Sequence, residues 1–175
     1  RQYVPACEDV RLRNGAAFAD VDNDGDLDLV VGVMGDAHTQ LFVQQAPLHF
    51  VEEGEARGVA QPTGDLHASM SQCFGDYDLD GFLDLTTSAW RPVADTDQRT
   101  GNGLFRNLGA MAPARFSDVT DAPGLRAENT RSLGIPGAWG LTSPLLDLDG
   151  DGRSAVVLHA DFLSSRLSFF PSTHL

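Results

Sequence analysis

Three nine-residue windows constrain this chain more than any other feature. They read Asp20-Val21-Asp22-Asn23-Asp24-Gly25-Asp26-Leu27-Asp28, Asp76-Tyr77-Asp78-Leu79-Asp80-Gly81-Phe82-Leu83-Asp84 and Asp147-Leu148-Asp149-Gly150-Asp151-Gly152-Arg153-Ser154-Ala155. All share Asp-x-Asp-x-Asp-Gly, and the first two end with Asp at position nine. Of the 25 acidic residues, 12 lie in these windows, which with Arg153 hold −11 of the net charge of −13. Carboxylates packed this densely repel one another unless something positive sits among them.

The spacing says what that something is. As a loop curls, alternate residues turn towards one centre, bringing together Asp20, Asp22 and Asp24, or Asp76, Asp78 and Asp80. Glycine at position six permits the sharp turn that side-chain-bearing residues avoid. Position seven then offers a backbone carbonyl, from Asp26 or Phe82, and Asp28 or Asp84 closes the shell. An all-oxygen site with several carboxylates suits a hard cation, and its size and flexibility favour calcium over magnesium. The plainer alternative is a solvated Asp-Gly turn, and three recurrences of one pattern count against it. An EF-hand needs Glu at position twelve and flanking helices. Position twelve is Val31, Thr87 and Leu158, and the flanks are short β-type runs. Each loop therefore joins two strands.

More than the loop recurs. A strand A precedes each loop, at Gly15–Ala19, Ser71–Gly75 and Leu141–Leu146. A strand B follows, at Leu27–Val33, Leu83–Ser88 and Ala155–His159. Strand C is Thr39–Val43, Gly103–Asn107 and Arg166–Phe170. Two units end in a fourth segment, from His49 through Gly58-Val59 and from Arg115 through Gly124-Leu125. Four antiparallel strands repeating in sequence predict an all-β fold built as blades of a β-propeller. The predicted boundaries are 1–14 as the closing strand of a neighbouring blade, 15–66 and 67–135 as blades one and two, and 136–175 as an incomplete third.

These units resemble the FG-GAP/VCBS repeats of integrin α-subunit propellers, and most of all repeats of the cartilage acidic protein type. The second unit carries the likeness: Phe74 to Asp84, then Leu104-Phe105-Arg106-Asn107-Leu108-Gly109, Phe116-Ser117-Asp118-Val119-Thr120 and Gly124-Leu125. The resemblance spans about residues 14–170. It implies calcium on Asp20, Asp22, Asp24 and Asp28 and on Asp76, Asp78, Asp80 and Asp84, with carbonyls from Asp26 and Phe82. The third loop departs from the pattern. Ala155 replaces the ninth Asp, leaving Asp147, Asp149, Asp151 and the Arg153 carbonyl, so two strong calcium sites and one weaker one are expected.

Closed propellers have about four to eight blades, more than this chain supplies. Opening on Arg1 rather than Met, the chain reads as a processed or excised piece. Either it is part of a longer propeller, or copies associate through their open strand edges.

Composition excludes several other classes. All twelve basic residues are Arg, so there is no lysine Schiff base, no Gly-Lys phosphate loop and no polybasic membrane patch. The acidic balance argues against nucleic acid, and no apolar run is long enough to insert in a membrane. His38, His49, His67, His159 and His174 form no recognised metal or catalytic motif. Cys7 and Cys73 fall on strands of different blades and are expected as free thiols.

Blade topology puts the A–B loops on one face and the long segments Ala89–Gly101 and Arg126–Trp139 on the other. Trp90, Arg91, Arg126, Arg131 and Trp139 are residue types enriched at binding hot spots, although both Trp could instead pack between blades. The expected function is a non-enzymatic adhesion or recognition module with structural calcium, outside the cell, on its surface or in a periplasm, and with a protein or carbohydrate ligand. Two alternatives stand beside it: an accessory or catalytic domain acting on polysaccharide or phosphodiester, and a structural subunit of a surface assembly.

Overall fold

In a computed structural model, residues 13–35, 38–60, 67–90, 102–121, 140–148, 150–152, 154–160 and 166–171 are described. They form twelve strands: β1 (Arg13–Ala19), β2 (Asp28–Gly35), β3 (Gln40–Ala46), β4 (His49–Glu52), β5 (His67–Gly75), β6 (Asp84–Trp90), β7 (Gly103–Asn107), β8 (Phe116–Asp118), β9 (Gly140–Thr142), β10 (Leu145–Leu146), β11 (Ala155–Ala160) and β12 (Arg166–Pro171). The fold is mostly β, and its strand pairs are antiparallel.

Each Asp-rich window closes a hairpin between consecutive strands. The register is the same three times: Ala19 faces Asp28, Gly75 faces Asp84 and Leu146 faces Ala155. From each hairpin the chain winds outwards, β1-β2-β3-β4 in the first unit and β5-β6-β7-β8 in the second. In the third unit β11 pairs with β12 on one side and with both β9 and β10 on the other. The expected strand A is split there because Pro144 has no N–H to give a ladder. Its carbonyl still accepts the Val157 N–H at 3.0 Å.

Two features were not expected. The far end of β2 pairs with the start of β5, at Met34–Ala68 and Gly35–His67, so the first two units share one eight-stranded sheet. The segment after β4 is not extended throughout: it forms a helical turn, α1 (Gly54–Arg57), stopped by Gly58 at φ 85°. Only a residue tolerant of that left-handed conformation ends the turn so abruptly. Among the described residues, no helix is long and apolar enough to cross a membrane.

The core lies between units. Val21, Val30, Leu41, Val43 and Val59 of the first unit meet Leu85, Phe105, Ala114 and Phe116 of the second, with Phe74 and Leu83 packed against them. Tyr77 and Leu104 of the second meet Val156 of the third, flanked by Val119 and Leu145. Position two of the first two loops is thus a core position: in Asp-x-Asp the acids turn one way and the residue between them the other. Repeat-equivalent residues on the outer faces are bare. Phe18 and Leu27, the counterparts of Phe74 and Leu83, are 60% and 54% exposed, and Leu148, the counterpart of Val21 and Tyr77, is 54% exposed.

Candidate metal centres

The first two loops adopt one backbone shape. Position four is left-handed in both, at Asn23 (φ 60°) and Leu79 (φ 63°), and so is position six, at Gly25 (φ 95°) and Gly81 (φ 87°). The third loop repeats this with Gly150 and Gly152. Two such reversals wrap the loop round its first carboxylate. Asp20 accepts the N–H groups of Asp24 at 3.1 Å and Gly25 at 2.9 Å, and Asp76 accepts those of Asp80 at 3.1 Å and Gly81 at 3.0 Å. Asp147 accepts those of Gly150 and Gly152.

Three carboxylates converge in each of the first two loops, Asp20 with Asp22 and Asp28, and Asp76 with Asp78 and Asp84. One oxygen from every member of a triad lies within 4.8 Å of the others. Position five does not join this convergence. Asp24 Oδ1 accepts the Asp26 N–H at 2.8 Å, and Asp80 Oδ1 accepts the Phe82 N–H at 2.9 Å. In the third loop Asp147 and Asp151 are exposed, whereas Asp149 and Arg153 lie outside the described residues.

Position nine has a second task that sequence spacing does not reveal. Asp28 accepts the Val21 N–H at 3.1 Å and the Gln44 N–H at 2.8 Å. Asp84 accepts the Tyr77 N–H at 2.7 Å and the Asn107 N–H at 2.8 Å. Each carboxylate therefore ties its own loop to strand β3 or β7. Both residues are buried, and burial pushes their carboxyls upward, Asp84 to about 6, against the opposing pull of those N–H groups. Asp22 is also raised, first by burial and then by the Asp24 and Asp20 charges. Ala155 can do none of this for the third loop.

The donor set fits a hard cation on one further observation. Asp22 Oδ1 and Asp78 Oδ1 are buried and accept no hydrogen bond. A buried carboxylate oxygen without a partner is costly, and in each triad a cation would supply the missing partner. Asp20, Asp22 and Asp28 would hold one ion, and Asp76, Asp78 and Asp84 another.

The two loops are neighbours. Asn23 Nδ2 donates to Gly81 O at 3.2 Å. Beneath them Asn107, fully buried, donates through Nδ2 to Val21 O at 2.8 Å and Leu83 O at 3.2 Å, and accepts the Gly109 N–H at 3.0 Å. Arg106 Nε stands 2.5 Å from Asp78 Oδ2, and Arg106 Nη2 lies 3.8 Å from Asp80 Oδ2. Sequence spacing assigns no role to Asn107 or Arg106, since both sit 23 or more residues from the acids they touch, and only the loop-to-strand pairing joins them.

A loop-rich face is expected opposite these centres. Trp90 ends β6, and Arg91, Arg126, Arg131 and Trp139 lie outside the described residues, as does Cys7. Cys73 on β5 carries a free thiol, and burial raises its titration. No protein-family model matches this chain, and no curated protein matches it.

Proposed function

We propose that this chain is a portion of a calcium-stabilised β-propeller that serves as an extracellular or periplasmic recognition module of the FG-GAP/VCBS kind. The observation that carries the reading is the pair of triads, each with a buried aspartate oxygen that accepts no hydrogen bond. Calcium would neutralise the clustered acids and fix each hairpin relative to the next strand, a structural rather than catalytic task. Among the described residues the most perturbed carboxyl, Asp84, belongs to a triad instead of standing alone in a cleft, which favours the structural role. The bare Phe18, Leu27 and Leu148 support further units, because their repeat equivalents pack between units.

Melting the protein in calcium and after stripping tests the metal. Calcium binds the folded loops and not the unfolded chain, so melting should rise with calcium by mass action. Magnesium at the same concentration should do less, since it demands tighter octahedral geometry. Identical melting with and without calcium would refute the proposal. Recognition is tested separately, by probing glycan and extracellular-protein arrays with the calcium-loaded chain. Ligand capture that chelation abolishes is the expected outcome.

A further inference from the structure

The two triads are alike in their acids and differ in what stands over them. Arg106 of β7 occupies the place that Val43 holds in β3: the next residue, Asn107 or Gln44, gives its N–H to the ninth-position aspartate in each unit. Val43 is buried in the core between units. The Arg106 side chain, two-fifths exposed, instead lays its guanidinium on the outer oxygens of Asp78 and Asp80. Asp78 Oδ1 is left buried and without a hydrogen bond. The guanidinium therefore lies at the rim of the second loop and leaves that inner oxygen open. Loop one holds five acids and loop two only four. Arg57, whose charge reaches Asp22, is already paired with Glu53 at 2.7 Å.

We infer that Arg106 is a built-in counter-ion that makes the second loop the weaker of the two triad sites and keeps its shape when calcium is absent. The inference rests on the calcium reading above. The Arg106 Nε contact is close but not aligned as a hydrogen bond, so its effect is assigned to charge rather than to orientation of the ligand. The two ligand triads match, so the extra Asp26 carboxylate of loop one and the fixed positive charge over loop two both favour a divalent ion at loop one through charge alone. A unit charge about 6 Å from a divalent ion in a water-like medium shifts binding by about tenfold. In the calcium-free protein the same charge offsets repulsion among Asp76, Asp78 and Asp80, whereas among the described residues no Arg forms an ion pair with an acid of loop one.

Terbium is sensitised most strongly at the second loop, because Tyr77 stands between its ligands where loop one has Val21. The full chain is titrated with terbium, then calcium is added in competition, with Tyr77→Phe confirming the source of the signal. Arg106→Gln should tighten calcium at the second loop by about three- to tenfold and lower melting in the calcium-free protein. Arg106→Lys keeps the charge and should bind calcium like the parent. Unchanged or weaker binding in Arg106→Gln, with calcium still bound in the parent, overturns the inference and leaves the calcium reading standing. A parent chain that binds no calcium at either loop removes both. The half-buried side chain belongs to neither apolar cluster, and melting in excess calcium checks that each variant folds.

Discussion

Replacing Asn107 with Ala should weaken the joint between the first unit and the second. The side chain is fully buried and satisfies three backbone groups: Val21 O in loop one, Leu83 O in loop two and the Gly109 N–H. Its own N–H still reaches Asp84 after substitution, because that bond is backbone to side chain. Two buried groups and one part-buried group each lose a partner, at about 1 kcal/mol apiece, so the loss should be about 2 to 3 kcal/mol. Asn107→Asp keeps the acceptor for Gly109 but loses both donated bonds and places a second carboxylate beside Asp84, so it should be at least as damaging. Urea unfolding in saturating calcium measures both variants, with an unchanged denaturant slope showing that the unfolded state has not altered. A loss below about 1 kcal/mol in Asn107→Ala would mean that the apolar cluster alone joins the units, and the bridging role would fail.

Two other predictions follow from the loops. In calcium-stripped protein, Asp84 titrates near 6 against an ordinary 3.8, so the folded state holds a proton that the unfolded chain has released. Stability should therefore fall as pH rises from about 4 to about 6, by at most about 3 kcal/mol, with Asp28 and Asp22 acting in the same direction. Calcium binds the deprotonated carboxylate and should flatten or reverse that slope; rising stability across this window in stripped protein would contradict the burial argument. Separately, Gly81→Ala should cost about 1 kcal/mol, because φ 87° suits glycine and nothing within 4 Å of the added Cβ provides any other penalty. Equal stability by urea unfolding would show that the loop relaxes to another backbone shape.

The sequence by itself determined the repeating hairpin. Asp-x-Asp-x-Asp-Gly states which residues turn inwards, where the chain reverses and which strands flank it, because those requirements are local and lie within nine residues. It also marked Asp20, Asp22 and Asp28, with Asp76, Asp78 and Asp84, among the acids of its two full loops. Asp24 and Asp80 were indistinguishable from them in spacing, yet the turn itself takes an oxygen of each. Only tertiary structure decided the rest. Asp28 and Asp84 are buried and pinned to β3 and β7, which comes from strand pairing across 16 and 23 residues. Val21 and Tyr77 look like spacers between acids, but the stacking of one unit on the next makes them core. Arg106 reads as one more surface charge until β7 brings it over the second loop. Local spacing can specify a turn, but it cannot say which distant strand will supply the turn's counter-charge, because that depends on how one sheet packs against another.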